Sequence, residues 1–137
     1  MKCKSILVAD DNRDVRETIV DALIGEGYRA VGAKDGKDAL EKLEKMPVPT
    51  LILLDLMMPV MSGWEFLDAQ KKNAKFASHQ VVTISSVNPT KTLETAEPLD
   101  IAGSLQKPLS FGSLWEKVQE FCETPSLLGA NQSEIAN

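Results

Sequence analysis

The stretch LILLDLMMP, residues 51–59, decides how this chain folds. Four aliphatic residues run without a break up to Asp55, and Pro49 and Pro59 bound the segment. An unbroken apolar run of this length predicts a β-strand that is buried on both faces, as in a parallel sheet. Asp55 then lies where the strand leaves the core, and a charge there is costly unless another group pairs with it.

Length and composition are typical of one globular domain with its own core, since 43% of the 137 residues are hydrophobic and 26% are charged. The net charge of −5 argues against nucleic-acid binding as the main activity. The first apolar run stops at Asp10-Asp11, too early for a signal peptide, and no segment is long enough to cross a membrane. We therefore expect a cytoplasmic protein without a membrane partner, in which Cys3 and Cys122 are free thiols.

Strand-like runs alternate with helical spacing along the chain. The expected strands are 5–9, 28–33, 51–55, 80–85 and 101–106. A helix should follow each strand, and capping residues, glycines and prolines mark where these helices begin or end. These residues are Asp11 or Asn12 and Gly27 for the first helix, Pro47 for the second, Ser62-Gly63 for the third, Asn88-Pro89 and Pro98 for a short fourth, and Ser110 for the fifth. This pattern predicts an α/β fold, a parallel sheet with helices on both faces and right-handed crossovers.

The domain should occupy residues 1–123 and leave a polar tail, 124–137. From its composition, the tail is open to three interpretations: a disordered end, a linker stump, or an extension that docks through Leu127, Leu128 and Ile135.

Polar side chains follow the carboxyl ends of the expected strands. Asp10 and Asp11 follow the first strand, Asp55 ends the third, Ser85 ends the fourth, and Lys107 follows the fifth. Ligands of open parallel sheets bind beyond these strand ends, so the five side chains should share one cleft. Each alone has an ordinary structural explanation, such as helix capping, but their conjunction favours a site.

The chemistry of this set points to phosphoryl transfer. Three carboxylates in one cleft repel one another unless a cation neutralises them, and Mg²⁺, or Mn²⁺ in its place, suits a small all-oxygen site. A carboxylate beside such a metal can attack phosphorus, and the reaction needs mainly positioning and charge neutralisation. Asp55 is the expected nucleophile because the most buried strand holds it, with Lys107 and the Ser85 hydroxyl completing the site.

These residues resemble the receiver domain of response regulators in two-component signalling. The matching motifs stand in the family order over about residues 4–123, and they are LVADDN (7–12), LLDLMMP (53–59) with Ser62-Gly63, Ser85, and Lys107-Pro108. The resemblance implies the flavodoxin-like (βα)5 fold, a doubly wound five-stranded sheet with strand order 2-1-3-4-5.

The resemblance also implies roles for the acidic residues. Asp55 is similar to the phosphoacceptor, which takes a phosphoryl group from a histidine kinase or a histidine phosphotransfer protein and thereby changes binding to a downstream protein. Asp11, Asp55 and the backbone carbonyl of Met57 resemble the direct ligands of Mg²⁺, with Asp10 acting mainly through water. Such a phosphoacceptor assists its own phosphorylation and is not an enzyme with a separate substrate.

Lys107 is similar to the lysine that pairs with the phosphoryl group, and its bond to Pro108 to the family's cis peptide. Ser85 is similar to the switch hydroxyl that closes on the phosphoryl group. The chain departs from the family pattern at Ser104, where an aromatic residue usually stands three positions before the lysine. Two positions beyond the phosphoacceptor and the switch hydroxyl are Met57 and Val87, whose apolar side chains do not orient water, so we expect slow autodephosphorylation.

Three other functions remain alternatives. A phosphohydrolase with an aspartate nucleophile would carry a second aspartate two residues later, where this chain has Met57. A flavin-binding domain would need a glycine- and hydroxyl-rich loop after the first strand, where Asp10-Asp11 would repel the phosphate. A degenerate receiver that is never phosphorylated would lack charged site residues, and here all of them are present.

Overall fold

The computed structural model describes residues 3–86 and 101–123, so Val87, the expected helix from Asn88 to Pro98 and the tail at 124–137 lie outside it. The strands are β1 (Ser5–Ala9), β2 (Arg29–Ala33), β3 (Thr50–Asp55), β4 (Gln80–Ser85) and β5 (Gly103–Gln106), and the helices are α1 (Arg13–Gly25), α2 (Gly36–Leu43), α3 (Gly63–Lys72) and α4 (Phe111–Phe121). The strands are parallel in the order β2-β1-β3-β4-β5, which confirms the predicted flavodoxin-like α/β sheet.

Strand β3 lies at the centre of the sheet, and all of its residues are buried. Leu51 and Leu53 point into a core that α1 and α4 cover, whereas Ile52 and Leu54 point into a second core that α2 and α3 cover. Burying each such side chain contributes about 1.5–3 kcal/mol. The predicted strand buried on both faces is confirmed, and its packing holds Asp55, the residue at its end, in a fixed position.

Element boundaries differ from the sequence expectation mainly at the edges of the sheet. Strand β2 begins at Arg29 and β5 at Gly103, each later than predicted. Both are edge strands with exposed positions, so hydrophobic patterning marks their ends weakly. Helix α1 resolves the open choice of cap, because the Asn12 side chain accepts a hydrogen bond from the Val15 N–H.

The cysteines correct one prediction. Cys3 and Cys122 are not free thiols but form a disulfide, and both are buried. The Cys3 N–H donates to the Phe121 carbonyl, and the Glu123 N–H donates to the Cys3 carbonyl, so the end of α4 pairs with the segment that leads into β1. The expectation of free thiols rested on the expected reducing compartment and on the distance between the two cysteines in the sequence. It was wrong because the fold makes neighbours of two residues that are 119 positions apart.

No helix within 3–86 and 101–123 is both long and apolar enough to cross a membrane.

Candidate functional site

The fold brings three predicted carboxylates together. Strands β1 and β3 are neighbours, and Ala9 lies opposite Leu54, so the next residues, Asp10 and Asp55, lie side by side at the edge of the sheet. Asp10, Asp11 and Asp55 each offer one oxygen, and these oxygens lie within 4.8 Å of one another. Asp10 and Asp55 are buried, whereas Asp11 is exposed.

Lys107 joins this cluster from the end of β5. Its Nζ lies 3.0 Å from Asp10 Oδ2 and 3.6 Å from Asp55 Oδ2. Burial lowers the pKa of Lys107, but its hydrogen bond to Asp10 and the charges of Asp10, Asp55 and Asp11 outweigh burial and raise the pKa above its usual value. The ammonium is therefore held between two carboxylates, closer to Asp10 than to the expected nucleophile.

Asp55 is 4% exposed, and its environment disfavours its negative charge. Burial raises its pKa most, and the charge of Asp10 raises it further. Lys107 and the Met57 N–H, which lies 3.3 Å from Asp55 Oδ1, oppose this shift only in part, so the pKa is about 6. Additional positive charge near Asp55 would therefore stabilise its ionised form.

Two contacts that were not predicted from the sequence hold Asp10 in place. Its Oδ1 accepts a hydrogen bond from the Asn12 N–H at 2.9 Å, and its main-chain oxygen accepts one from Arg16 Nη1 at 2.8 Å. The Asn12 contact has a sequence signal, since an aspartate often bonds the amide two residues later. The Arg16 contact has none, because it depends on how α1 lies beside the sheet.

The donor set fits a hard divalent cation. Among the described residues, the buried Asp10 Oδ2 has the Lys107 ammonium, at 3.0 Å, as its only polar partner. Carboxylate oxygens are the ligands that Mg²⁺ prefers, and Mg²⁺ sites in proteins use few carboxylates and keep several waters. Asp10, Asp11 and Asp55 are therefore the residues that could hold such an ion.

The start of α3 lies directly against the end of β3. The Gly63 N–H donates to the Leu56 carbonyl at 2.9 Å. A Cβ on Gly63 would lie 2.6 Å from both the Asp55 carbonyl oxygen and the Leu56 Cα, so only glycine permits this approach. Ser62 then caps α3 in a reciprocal capping box with Glu65. Within the Ser62-Gly63 motif, Gly63 is therefore required for steric reasons and Ser62 for helix capping.

The loop between β3 and α3 stores backbone strain. Val60 has φ 68°, a left-handed conformation that is unusual for a β-branched residue, and its side chain is 75% exposed. The Met61 N–H donates to the Pro59 carbonyl at 2.7 Å, which closes a γ-turn around Val60. The Met61 carbonyl in turn accepts the Gly36 N–H at 3.0 Å, so α2 holds this turn in place.

The remaining predicted site residues lie around the same edge. Ser85 is buried at the end of β4, one position beyond the Ile84–Asp55 pair, and its carbonyl accepts the Lys107 N–H at 3.0 Å. The Lys107–Pro108 peptide is cis, as the resemblance implied. Ser104 is exposed on edge strand β5.

The doubly wound sheet places an acidic cluster at its carboxyl edge, which is where ligands of open α/β sheets bind. The response regulator receiver domain family matches residues 6–119, and the chain belongs to this family. Receiver domains are signalling phosphoacceptors of two-component systems that interact with histidine kinases and downstream partners. The resemblance inferred from the motifs is confirmed.

Individual relatives agree with this assignment. Response regulator RR06 of Streptococcus pneumoniae is 36% identical over 115 residues, which cover 84% of this chain and 51% of RR06, so the chain spans about half the length of that relative. Chemotaxis protein CheY4 of Vibrio cholerae superposes with a TM-score of 0.76 at 25% identity, covering 87% of this chain and 98% of CheY4. Response regulator TrrA of Thermotoga maritima, solved in complex with Mg²⁺–BeF, has a TM-score of 0.72 at 28% identity and covers 86% of this chain and 98% of its own.

Proposed function

We propose that Asp55 accepts a phosphoryl group from a histidine kinase or a histidine phosphotransfer protein, in a Mg²⁺-dependent reaction that changes binding to a downstream protein. The observation that supports this most is the state of Asp55 itself. It is buried at the end of the central strand, its pKa is about 6, and two further carboxylates and an ammonium surround it. A group in this state gains stability from added positive charge.

The metal ligands of the proposal are Asp11, Asp55 and the main-chain carbonyl of Met57, with Asp10 acting mainly through water. Mg²⁺ or Mn²⁺ bound there supplies neutralisation of the charge on the carboxylates and on the incoming phosphoryl group. The support for this part is the set of carboxylate oxygens within 4.8 Å of one another and the buried Asp10 Oδ2 beside them.

The other steps of phosphoryl transfer are carried out by side chains of the protein. The Asp55 carboxylate attacks phosphorus, the new O–P bond forms as the P–N bond to the donor imidazole breaks, and the imidazole nitrogen takes a proton from solvent. The Lys107 ammonium moves from its 3.0 Å contact with Asp10 towards the transferred phosphoryl group. The Ser85 hydroxyl donates a hydrogen bond to a phosphoryl oxygen.

The bounds of the domain, its location and its type of partner are part of the same proposal. Residues 1–123 form the receiver domain and 124–137 a polar segment after it, and the domain acts in the cytoplasm. It works through protein partners rather than by turning over a separate substrate, and it binds neither nucleic acid nor membrane. The net charge of −5 supports the absence of direct nucleic-acid binding.

The exposed side chain of Met57 supports slow loss of the phosphoryl group. It lies two residues after Asp55, and its thioether neither donates a hydrogen bond nor orients a water molecule. We expect that Met57→Asn accelerates decay of the aspartyl phosphate, measured as loss of the phosphorylated mass over time. Decay of the wild-type phosphoprotein as fast as that of the variant would contradict this part of the proposal.

The direct test is incubation with acetyl phosphate and Mg²⁺, followed by intact mass measurement. We expect a gain of one phosphoryl group that disappears in Asp55→Asn and when EDTA replaces Mg²⁺. Asp14→Asn is the matched control, because Asp14 is an exposed aspartate in the first turn of α1 and should leave the gain unchanged. The absence of any gain in the wild type, or a gain that persists in Asp55→Asn, would overturn the proposal.

A further inference from the structure

We propose that Arg16 is a positioning residue for the carboxylate cluster, which holds the backbone of Asp10 so that Asp10 and Asp11 face Asp55. This inference rests on the proposed metal site. Within the part of the chain that the structure describes, Arg16 forms no ion pair with a carboxylate, although three carboxylates lie nearby. Its guanidinium instead binds a neutral main-chain oxygen, which is the arrangement expected of a structural clamp rather than of a counter-charge.

The position of that oxygen explains how the clamp acts. Arg16 Nη1 lies 2.8 Å from the carbonyl oxygen of Asp10, the first residue after β1. This carbonyl belongs to the planar peptide group that joins Asp10 to Asp11, so its orientation sets the directions in which both side chains leave the backbone. The Asn12 N–H bond to Asp10 Oδ1, at 2.9 Å, then fixes the side chain itself.

Strand β2 provides the path that Arg16 follows. A Cβ added to Gly32 would lie 3.1 Å from both Cγ and Cδ of Arg16, so the missing side chain leaves room for the arginine arm. The neighbouring residue of β2 holds the other side of the same backbone, since the Asp10 N–H donates to the Ala33 carbonyl at 3.0 Å. Both main-chain groups of Asp10 are therefore bound, one by β2 and one by Arg16.

Positioning and simple electrostatics predict opposite results when Arg16 is removed. If the guanidinium acted only through its charge, it would repel a divalent cation, and its removal would tighten metal binding. If it orients the carboxylates, its removal weakens metal binding. Loss of residues that orient metal ligands typically reduces metal affinity about 10–100-fold.

Titration of the unphosphorylated protein with Mn²⁺, with free Mn²⁺ measured by electron paramagnetic resonance, separates these possibilities. We expect Arg16→Ala to weaken Mn²⁺ binding about 10-fold, and Arg16→Lys to recover part of the loss, because an ammonium can still donate to the Asp10 carbonyl. Arg13→Ala is the matched control: it removes the same charge from the same helix, at an exposed residue that pairs with Glu17. That control should leave Mn²⁺ affinity within about 2-fold of the wild type, as expected for an exposed, screened pair.

The Gly32→Ala variant tests the same contact from the other element. It should weaken Mn²⁺ binding in the wild-type background, because the new Cβ displaces the arm of Arg16, and it should have a smaller effect on top of Arg16→Ala. Urea unfolding in EDTA shows whether each variant remains folded at the temperature of the titration. Independent, additive effects of the two substitutions would overturn the inference.

The outcomes also distinguish this inference from the proposed function. If the wild type binds no Mn²⁺, the proposed metal site fails and the role of Arg16 falls with it. If the wild type binds Mn²⁺ and folded Arg16→Ala binds it equally well or more tightly, the positioning role alone is overturned.

Discussion

Both ends of the β-sheet carry buried polar side chains, but the two ends differ in how fully these side chains are paired. The amino edge, defined here by Ser5, Thr50 and His79 with Gln70 of α3, pairs its polar side chains with one another and with the backbone. The carboxyl edge, defined by Asp10, Asp11, Asp55 and Lys107, leaves its carboxylates with too little positive charge.

At the amino edge, each contact has an ordinary length. The hydroxyls of Ser5 and Thr50 are 2.8 Å apart, and the Thr50 N–H donates to His79 Nδ1 at 2.9 Å. Burial lowers the pKa of His79, which keeps its ring neutral and Nδ1 free to accept this bond. Gln70 Nε2 donates to the carbonyls of Phe76 and His79 at 3.0 Å.

At the carboxyl edge, unfavourable features accumulate within a few residues. The pKa of Asp55 is raised to about 6, and the buried Asp10 Oδ2 has only the Lys107 ammonium as a polar partner among the described residues. Val60 has a left-handed backbone conformation. One sheet therefore pairs the polar groups of its amino edge and leaves the carboxylates of its carboxyl edge short of positive charge. Perturbed pKa values and backbone strain concentrate at functional sites.

Removal of Lys107 should produce the largest loss of stability. In Lys107→Met, the free energy of unfolding in EDTA should fall by about 3 kcal/mol at about pH 8, because the buried carboxylates lose their counter-charge. The loss should become smaller as the pH falls through about 6, because Asp55 is then protonated and needs less counter-charge. Chemical unfolding across this pH range is the measurement, and an unchanged stability at about pH 8 would contradict the described electrostatics of the carboxyl edge.

Thr50→Val tests the amino edge, and its effect should be somewhat smaller. The substitution keeps the shape of the side chain but leaves the Ser5 hydroxyl and the Pro47 carbonyl without this partner, so we expect a loss of about 2 kcal/mol. Urea unfolding measures it, and the loss should not depend on pH because no charge is involved. Thr18→Val on the exposed face of α1 is the control and should change stability by less than about 0.5 kcal/mol.

Val60→Gly should have the smallest effect, and in the opposite direction. Relief of the left-handed strain should outweigh the added entropy of glycine in the unfolded chain and raise stability by about 1 kcal/mol. Val48→Gly is the control, because Val48 is also an exposed valine but does not have a positive φ, and this substitution should lower stability. Thermal unfolding compares the two, and equal destabilisation of both variants would remove the claim of strain at the carboxyl edge.

Much of the fold and the site could be predicted because the relevant signals are local or repeat along the chain. The run before Asp55 marks the central strand, and the strand ends identify Asp10, Asp11 and Lys107 since parallel strands end at a common edge. The capping residue Ser110 was predicted, and the cap of α1 was narrowed to Asp11 or Asn12, because a cap interacts within its own helical turn.

The features that could not be predicted depend on packing between distant segments. The Cys3–Cys122 disulfide joins the two ends of the described domain, and no local pattern predicts that they meet. The closer approach of Lys107 to Asp10 than to Asp55 depends on side-chain geometry, as does the path of Arg16 past Gly32. Val60 has a positive φ against the preference of its own side chain, because the surrounding loop imposes it.

The most direct test of the contrast between the two edges is the stability of Asp55→Asn relative to the wild type in EDTA, as a function of pH. The folded-state pKa of Asp55, about 6, lies above the ordinary value of 3.8, so ionisation of Asp55 opposes folding. The stability that the protonated Asp55 contributes at low pH is therefore lost as the pH rises through about 6. The neutral asparagine side chain of the variant lacks this penalty.

We therefore expect Asp55→Asn to be more stable than the wild type by about 2–3 kcal/mol at about pH 8, with the difference vanishing below about pH 4. Added Mg²⁺ should narrow the difference at about pH 8 by stabilising the wild type. If the variant is instead equally stable or less stable than the wild type at about pH 8, the carboxyl edge is not held in an unfavourable state, and the contrast between the two ends of the sheet is contradicted.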